Sequence, residues 1–206
     1  MQYLAAHYWQ SAGGGKSSML LQQVYHKRKK MPVVLACVCT NKELVTELSE
    51  WFYETALPIC SKKGERGMRI MSIRLKHILE KKEKIMGARM AGVLCLGESV
   101  CFFQRGEMKI RLLNMKFQRA HSFCLQPDTE PGEKIVFREA TIQPNVGILL
   151  ATEEFWAHIP QEMAEECLDI SQIRNQGILK KHLCELGDRG AEKGGTDMGA
   201  VLLLSR

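Results

Sequence analysis

Val33 to Cys39 reads Val-Val-Leu-Ala-Cys-Val-Cys, an unbroken apolar run rich in β-branched residues. A half-exposed strand would alternate, and a surface helix would show a polar stripe. This run therefore fits a central strand covered on both faces. It asks for sheet partners on either side and for apolar layers above and below.

Other segments supply them. Gln2–Trp9 and Met19–Tyr25 read as two strands joined by a loop containing Gly13-Gly14-Gly15. Met90–Leu96, Val100–Phe103 and Ile110–Leu113 are separated by the turn signals Gly97-Glu98-Ser99 and Arg105-Gly106-Glu107. Ile135–Ala140 and Val146–Ala151 follow a polar loop over Gln126–Gly132, and Ala200–Leu204 is a last apolar strand.

Helices lie between these groups. Thr40-Asn41-Lys42-Glu43 reads as a capping box opening a helix that carries Leu44, Leu48, Trp51 and Phe52 on one face and stops before Pro58. After a Lys/Gly-rich loop, Ser61–Gly67, a second helix turns Met71, Leu75 and Ile78 inward and ends in the solvated run Lys81-Lys82-Glu83-Lys84. Two more are expected at about Gln161–Leu168 and Asn175–Leu186, the latter burying Leu179, Leu183 and Leu186. With no internal repeat and no low-complexity linker, residues 1–206 read as one domain: an α/β (α+β) two-sheet core with helices outside.

Bulk properties exclude several classes. The net charge of +6 reads as spread along the chain, with one dense basic run, His26–Lys30, fitting a solvated hairpin tip. No basic stripe interleaved with aromatics is present, which argues against nucleic acid as partner. No run approaches the roughly 18 apolar residues needed to span a bilayer. Eight cysteines invite a zinc or disulfide reading, but Cys37 and Cys39 have one residue between them and no second pair follows. Most others sit in apolar runs as small buried hydrophobes, so a reducing cytoplasm is the expected home.

Two stretches have the form of a buried strand meeting a turn: Gly147–Leu150 into Ala151-Thr152-Glu153-Glu154-Phe155-Trp156, and Gly194-Gly195-Thr196-Asp197 into Met198–Leu204. Together with the opening hairpin Met1–Leu21, the strand Val33–Cys39, the start Gly87-Ala88-Arg89-Met90 and the hairpin Arg105-Gly106-Glu107-Met108, they occur in an order that resembles the metal-dependent Ser/Thr protein phosphatases of the PPM (type-2C) family. The resemblance implies a four-layer α-β-β-α sandwich of two mainly antiparallel sheets. It also implies a site where carboxylates bridge two Mg or Mn ions that activate a water for attack on a phosphoryl group.

Carried over residue by residue, that site loses its ligands. The family's Asp of the opening hairpin falls at Ser17, beside Lys16, and the Asp of its glycine turn falls at Thr40, with the turn itself deleted. The third Asp falls at Glu153, with Glu154 in place of the neighbouring Gly. The fourth falls at Thr196, with Asp197 one position late. Hard divalent cations need converging anionic oxygens, and Ser and Thr remove that charge. The resemblance thus implies a pseudophosphatase without catalytic, cofactor or metal residues, in which Ser17, Thr40, Glu153, Glu154, Thr196 and Asp197 are vestigial positions. Its expected role is regulatory binding of a protein partner, phosphorylated or kinase-linked, through the old site edge or the Ser61–Gly67 segment.

The alternative is a weak phosphatase holding Mg or Mn on Glu153 and Asp197, with Glu154 and Asp188 as further acids. A nucleotide site at Gly13-Gly14-Gly15-Lys16-Ser17 is a third reading; it requires a helix after the loop, and Met19–Tyr25 is strand-like. The six histidines show no ligand spacing, Ser99 reads as a turn residue, and Trp51, Phe52, Phe155 and Trp156 read as core.

Overall fold

The apolar runs pair with one another. The computed structural model describes residues 1–11, 17–81, 87–106, 108–114, 119–123 and 135–206. Its strands are β1 (Tyr3–Ser11), β2 (Ser18–His26), β3 (Met31–Cys39), β4 (Met90–Leu96), β5 (Ser99–Arg105), β6 (Lys109–Asn114), β7 (Arg119–Phe123), β8 (Val136–Thr141), β9 (Val146–Ala151) and β10 (Asp197–Ser205). They form two five-stranded sheets, ordered β1-β10-β9-β6-β7 and β2-β3-β4-β5-β8. Every neighbouring pair is antiparallel.

The continuous apolar runs are explained by burial on both faces. Along β3, Val34, Ala36 and Val38 face the other sheet, while Val33, Leu35, Cys37 and Cys39 face a helical layer. Along β10, Val201 and Leu203 face the inter-sheet core, while Met198, Ala200, Leu202 and Leu204 face the opposite helical layer. The result is the helix–sheet–sheet–helix sandwich expected from the sequence, with three apolar layers rather than one.

The first helical layer holds α1 (Lys42–Trp51), α2 (Leu57–Lys63) and α3 (Met68–Lys81); the second holds α4 (Glu153–His158), α5 (Gln161–Cys167) and α6 (Gln176–Glu192). In the first, the helix does not stop before Pro58. A π-helical turn, Phe52–Ala56, joins α1 to α2, and the Leu57 N–H donates to Phe52 O, five residues back. This wide turn lies just before Pro58, whose missing N–H and bulky ring would break a regular i→i−4 ladder. Ser61–Gly67 is likewise not a loop: it is the end of α2 and a 3₁₀ turn, Gly64–Gly67, with Gly64 at φ 57°. α3 buries Met71, Leu75 and Leu79, an i, i+4, i+8 row, leaving Ile78 half-buried.

In the second layer α6 buries Leu179, Leu183 and Leu186 as expected and runs on to Glu192. It lies so close to β1 that a Cβ on Gly187 would come within 2.4 Å of the Tyr8 ring. The expected loop over Gln126–Gly132, the Gly13–Gly15 loop and most of the Lys81–Lys84 run fall outside the described residues. No helix among the described residues is long and apolar enough to cross a membrane.

Candidate functional site

Sheet register gathers residues far apart in sequence at one end of the sandwich. Ser11 pairs with Asp197 at the end of β1 and start of β10, and Ser18 pairs with Cys39 where β2 begins and β3 ends. Cys39 in turn faces Met90 at the start of β4. Ser17, Thr40, Arg89 and Asp197 therefore sit at adjacent strand ends, and Thr152-Glu153 joins them from the end of β9.

The scaffold of this end is Thr152. It is 1% exposed. Its N–H donates to Gly199 O at 2.9 Å. Its Oγ1 accepts from Gly199 N at 3.1 Å and from Phe155 N at 3.3 Å, and donates to Asp197 O at 3.4 Å. One hydroxyl thus caps α4 and ties it to β10. Glu153 and Glu154 are consequently the first turn of a helix, not turn residues at a strand end as the sequence suggests. In a helical turn φ is negative, so the glycine that a tight turn would demand is not needed at Glu154.

The Asp197 carboxylate accepts a hydrogen bond from Ser17 Oγ at 3.3 Å. Thr196 is exposed. Of the two residues at the fourth position it is Asp197 that meets the hairpin.

Thr40 is bound to Arg89 in both directions. Its N–H donates to Arg89 O at 3.0 Å, and its Oγ1 accepts from Arg89 N at 3.0 Å. The capping box expected at Thr40 does not form, because that hydroxyl is engaged with β4. The cap of α1 is Asn41, whose Oδ1 accepts from Leu44 N at 3.0 Å. The chain passes from Cys39 at the end of β3 to Lys42 at the start of α1, so the connection is two residues long.

Arg89 is the residue that sequence reasoning missed. Its guanidinium Nη1 forms an ion pair and hydrogen bond with Glu153 Oε2. Its stem lies against the β5–β6 turn: a Cβ on Gly106, at φ +75°, would stand 2.8 Å from Arg89 Cγ. Arg89 is thus aimed by Thr40 on one side and Gly106 on the other. The signal for it in the sequence is a lone cation at the start of the strand Met90–Leu96. Glu153 Oε1 is buried and has no hydrogen-bond partner among the described residues.

The remaining candidates lie elsewhere. Glu154 Oε1 stands 3.6 Å from His158 Nδ1, which also contacts Glu154 O at 3.0 Å. Asp188 on α6 lies near Tyr8, whose hydroxyl donates to Gln10 Oε1 at 2.6 Å and is pushed up to about 12, chiefly by burial and then by that carboxylate. Trp156 is half-buried and packs against the core of the second helical layer, with the Arg111 guanidinium 4.1 Å above its ring. Phe52 and Phe155 are fully buried and Trp51 nearly so. The segment after Ser17 is a strand, so the helix a phosphate-cradling loop requires is not there.

These groups do not fit a pair of divalent cations. Two such ions need several anionic oxygens converging without competing cations. Here one Glu153 oxygen is held by a guanidinium, the Thr40 hydroxyl accepts a backbone N–H, and Ser17 contributes a neutral hydroxyl that already donates to Asp197.

No protein-family model and no curated protein matches the sequence. Solved structures do. The chain is similar to the S. agalactiae serine/threonine phosphatase, at TM-score 0.63 and 12% identity, over 100% of both chains. It is similar to serine/threonine phosphatase Stp1 from Staphylococcus aureus, at TM-score 0.65 and 9% identity, over 100% of this chain and 96% of the other. It is also similar to PppA, described as a key regulatory component of T6SS in Pseudomonas aeruginosa, at TM-score 0.60 and 10% identity, over 100% and 99%. At such low identity the likeness shows the fold, two antiparallel sheets flanked by helices as in these phosphatase structures.

Proposed function

We propose that this chain is a degenerate member of the PPM family, a pseudophosphatase that acts as a protein-binding or regulatory module. One observation carries the reading. A guanidinium, Arg89, is bonded to Glu153, one of the two carboxylates, with Asp197, that lie at the ligand positions of the resemblance. A tethered organic cation offsets that carboxylate's charge without a metal, and it offers no coordination sites to polarise water or a phosphoryl group. Thr40, at another of those positions, helps to aim the arginine rather than bind a cation. The description of PppA as a regulatory component supports a regulatory role for the fold. The partner proposed is a protein, phosphorylated or kinase-linked, and the setting proposed is the cytoplasm.

The competing reading is a one-cation phosphatase on Glu153 and Asp197. It draws on Glu153 Oε1, which is buried without a hydrogen bond among the described residues. Thermal unfolding with millimolar Mn separates the two. A cation bound at a hundred times its dissociation constant adds about 2.7 kcal/mol. The proposal expects no Mn-dependent rise in Tm, and a rise that disappears in Glu153→Ala would overturn it.

A further inference from the structure

The net positive charge is not spread evenly over the chain. Residues 62–81 hold seven Lys and Arg against two Glu, so five of the chain's six net charges fall there. This is the end of α2, the 3₁₀ turn and α3. Neither acid offsets the outer cations of this segment. The Glu65 carboxylate lies over the β4–β5 turn, 3.3 Å from where a Cβ on Gly97 would stand, and Glu80 pairs with Lys76 at 3.7 Å. Lys62, Lys63, Arg66, Arg69 and Arg74 are exposed and have no acidic partner among the described residues.

The fold enlarges this surface. The β2–β3 hairpin tip, Lys27–Lys30, is exposed, and Lys29 Cδ lies 3.7 Å from the Cβ position of Gly64 at the end of α2. Two basic runs more than thirty residues apart in sequence therefore abut. On α3, Ile70 and Ile73, 37% and 60% exposed, stand between Arg69 and Arg74. Exposed aliphatics framed by unpaired cations are complementary to a segment carrying carboxylates around an apolar ridge.

The crest is aliphatic, so it gives nucleic-acid bases no stacking platform. The main apolar face of α3, Met71, Leu75 and Leu79, is used in the core, leaving only two isoleucines to enter a bilayer surface. We infer that the outer face of α2–α3, with the adjoining hairpin tip, docks an acidic protein segment bearing aliphatic side chains. Ile70 and Ile73 take the apolar contacts, and Arg69, Arg74 and the flanking lysines take the carboxylates. This deepens the binding-module reading and rests on it.

The test is anisotropy of a labelled helical peptide, with Leu at i, i+3, i+4 and i+7 and Glu on its flanks, added to the full chain. Binding is expected to weaken about tenfold in Ile73→Asp and in Arg69→Glu/Arg74→Glu, consistent with interface residues whose loss costs more than about 1 kcal/mol. It is also expected to weaken when salt rises from about 0.1 M to about 1 M, which cuts the Debye length from about 10 to about 3 Å. Circular dichroism of these surface variants checks that they remain folded. No binding, equal binding by the variants, or tighter binding of phosphatidylserine vesicles or poly-uridine RNA through the same residues would overturn the inference. Mn-dependent turnover would instead overturn the silent-site reading and leave the peptide result unchanged.

Discussion

Arg89 and Glu153, sixty-four residues apart, are joined by an ion pair at the end of the sandwich where β4 begins and α4 starts. The pair is open to water on the arginine side: the side chains are 50% and 27% exposed. Its contribution to folding is therefore small, and its consequence is chemical: a cationic group already lies against one oxygen of the Glu153 carboxylate.

Removing that cation separates the two effects. Arg89→Ala should cost under about 1 kcal/mol in urea unfolding, the range of exposed ion pairs. It should also leave the protein as indifferent to millimolar Mn as wild type, because no group of three or more His, Cys, Asp or Glu able to hold a metal ion is found among the described residues. A Mn-dependent rise in Tm in Arg89→Ala that is lost again in Arg89→Ala/Glu153→Ala would show instead that the guanidinium, and not the missing ligands, keeps a cation out.

Thr152 should be the most sensitive polar residue of the site. Its one hydroxyl caps α4 and bridges to Gly199 and Asp197. Thr152→Ala should cost about 2 kcal/mol, a lost cap plus a buried N–H left without its acceptor. Thr152→Ser, which keeps the hydroxyl, should recover most of it in the same measurement.

The contact between α6 and β1 leaves no room for a methyl group. A Cβ on Gly187 would press on the Tyr8 ring at 2.4 Å. Gly187→Ala should therefore destabilise the chain by about 1–3 kcal/mol, the cost of overpacking. Gly187→Ala/Tyr8→Leu should recover part of the loss, which a helix-propensity effect would not do.

Alkaline pH should unfold the protein through its buried thiols. Burial, the largest cause in each case, pushes Cys95 and Cys101 from 9.0 up to about 12. The folded state thus holds these protons more tightly than the unfolded chain. The stability they contribute is fully present below pH 9 and is lost as pH rises toward 12. Urea midpoints at about pH 8 and about pH 11 should differ, and Cys101→Ala should narrow the difference.

The strands were legible where both faces are covered, as in β3, β4, β5, β9 and β10, and Val33–Cys39, Met90–Leu96 and Val146–Ala151 announce that by composition alone. β7 was not, since Arg119-Ala120-His121-Ser122-Phe123 has neither an apolar run nor strict alternation. Pro58 hid the α1–α2 continuity, because a π-turn that absorbs a missing N–H leaves no mark in hydrophobic periodicity. Ser61–Gly67 looks like a loop from its Lys and Gly content, although tertiary packing holds it as helix end and 3₁₀ turn. The candidate site was half legible. Ser17, Thr40, Glu153 and Asp197 could be picked out from a resemblance, but their convergence depends on register between β2, β3, β4, β9 and β10. Arg89 and the capping role of Thr152 depend on side-chain direction, which no spacing rule reports.

The most direct measurement is hydrolysis of an aryl phosphate by the full chain, with and without excess Mn, beside Glu153→Ala. We predict no Mn-dependent turnover above the protein-free rate, for wild type and variant alike. Mn-dependent turnover by wild type that vanishes in Glu153→Ala would contradict the account, because Glu153 would then be holding a catalytic metal in spite of Arg89.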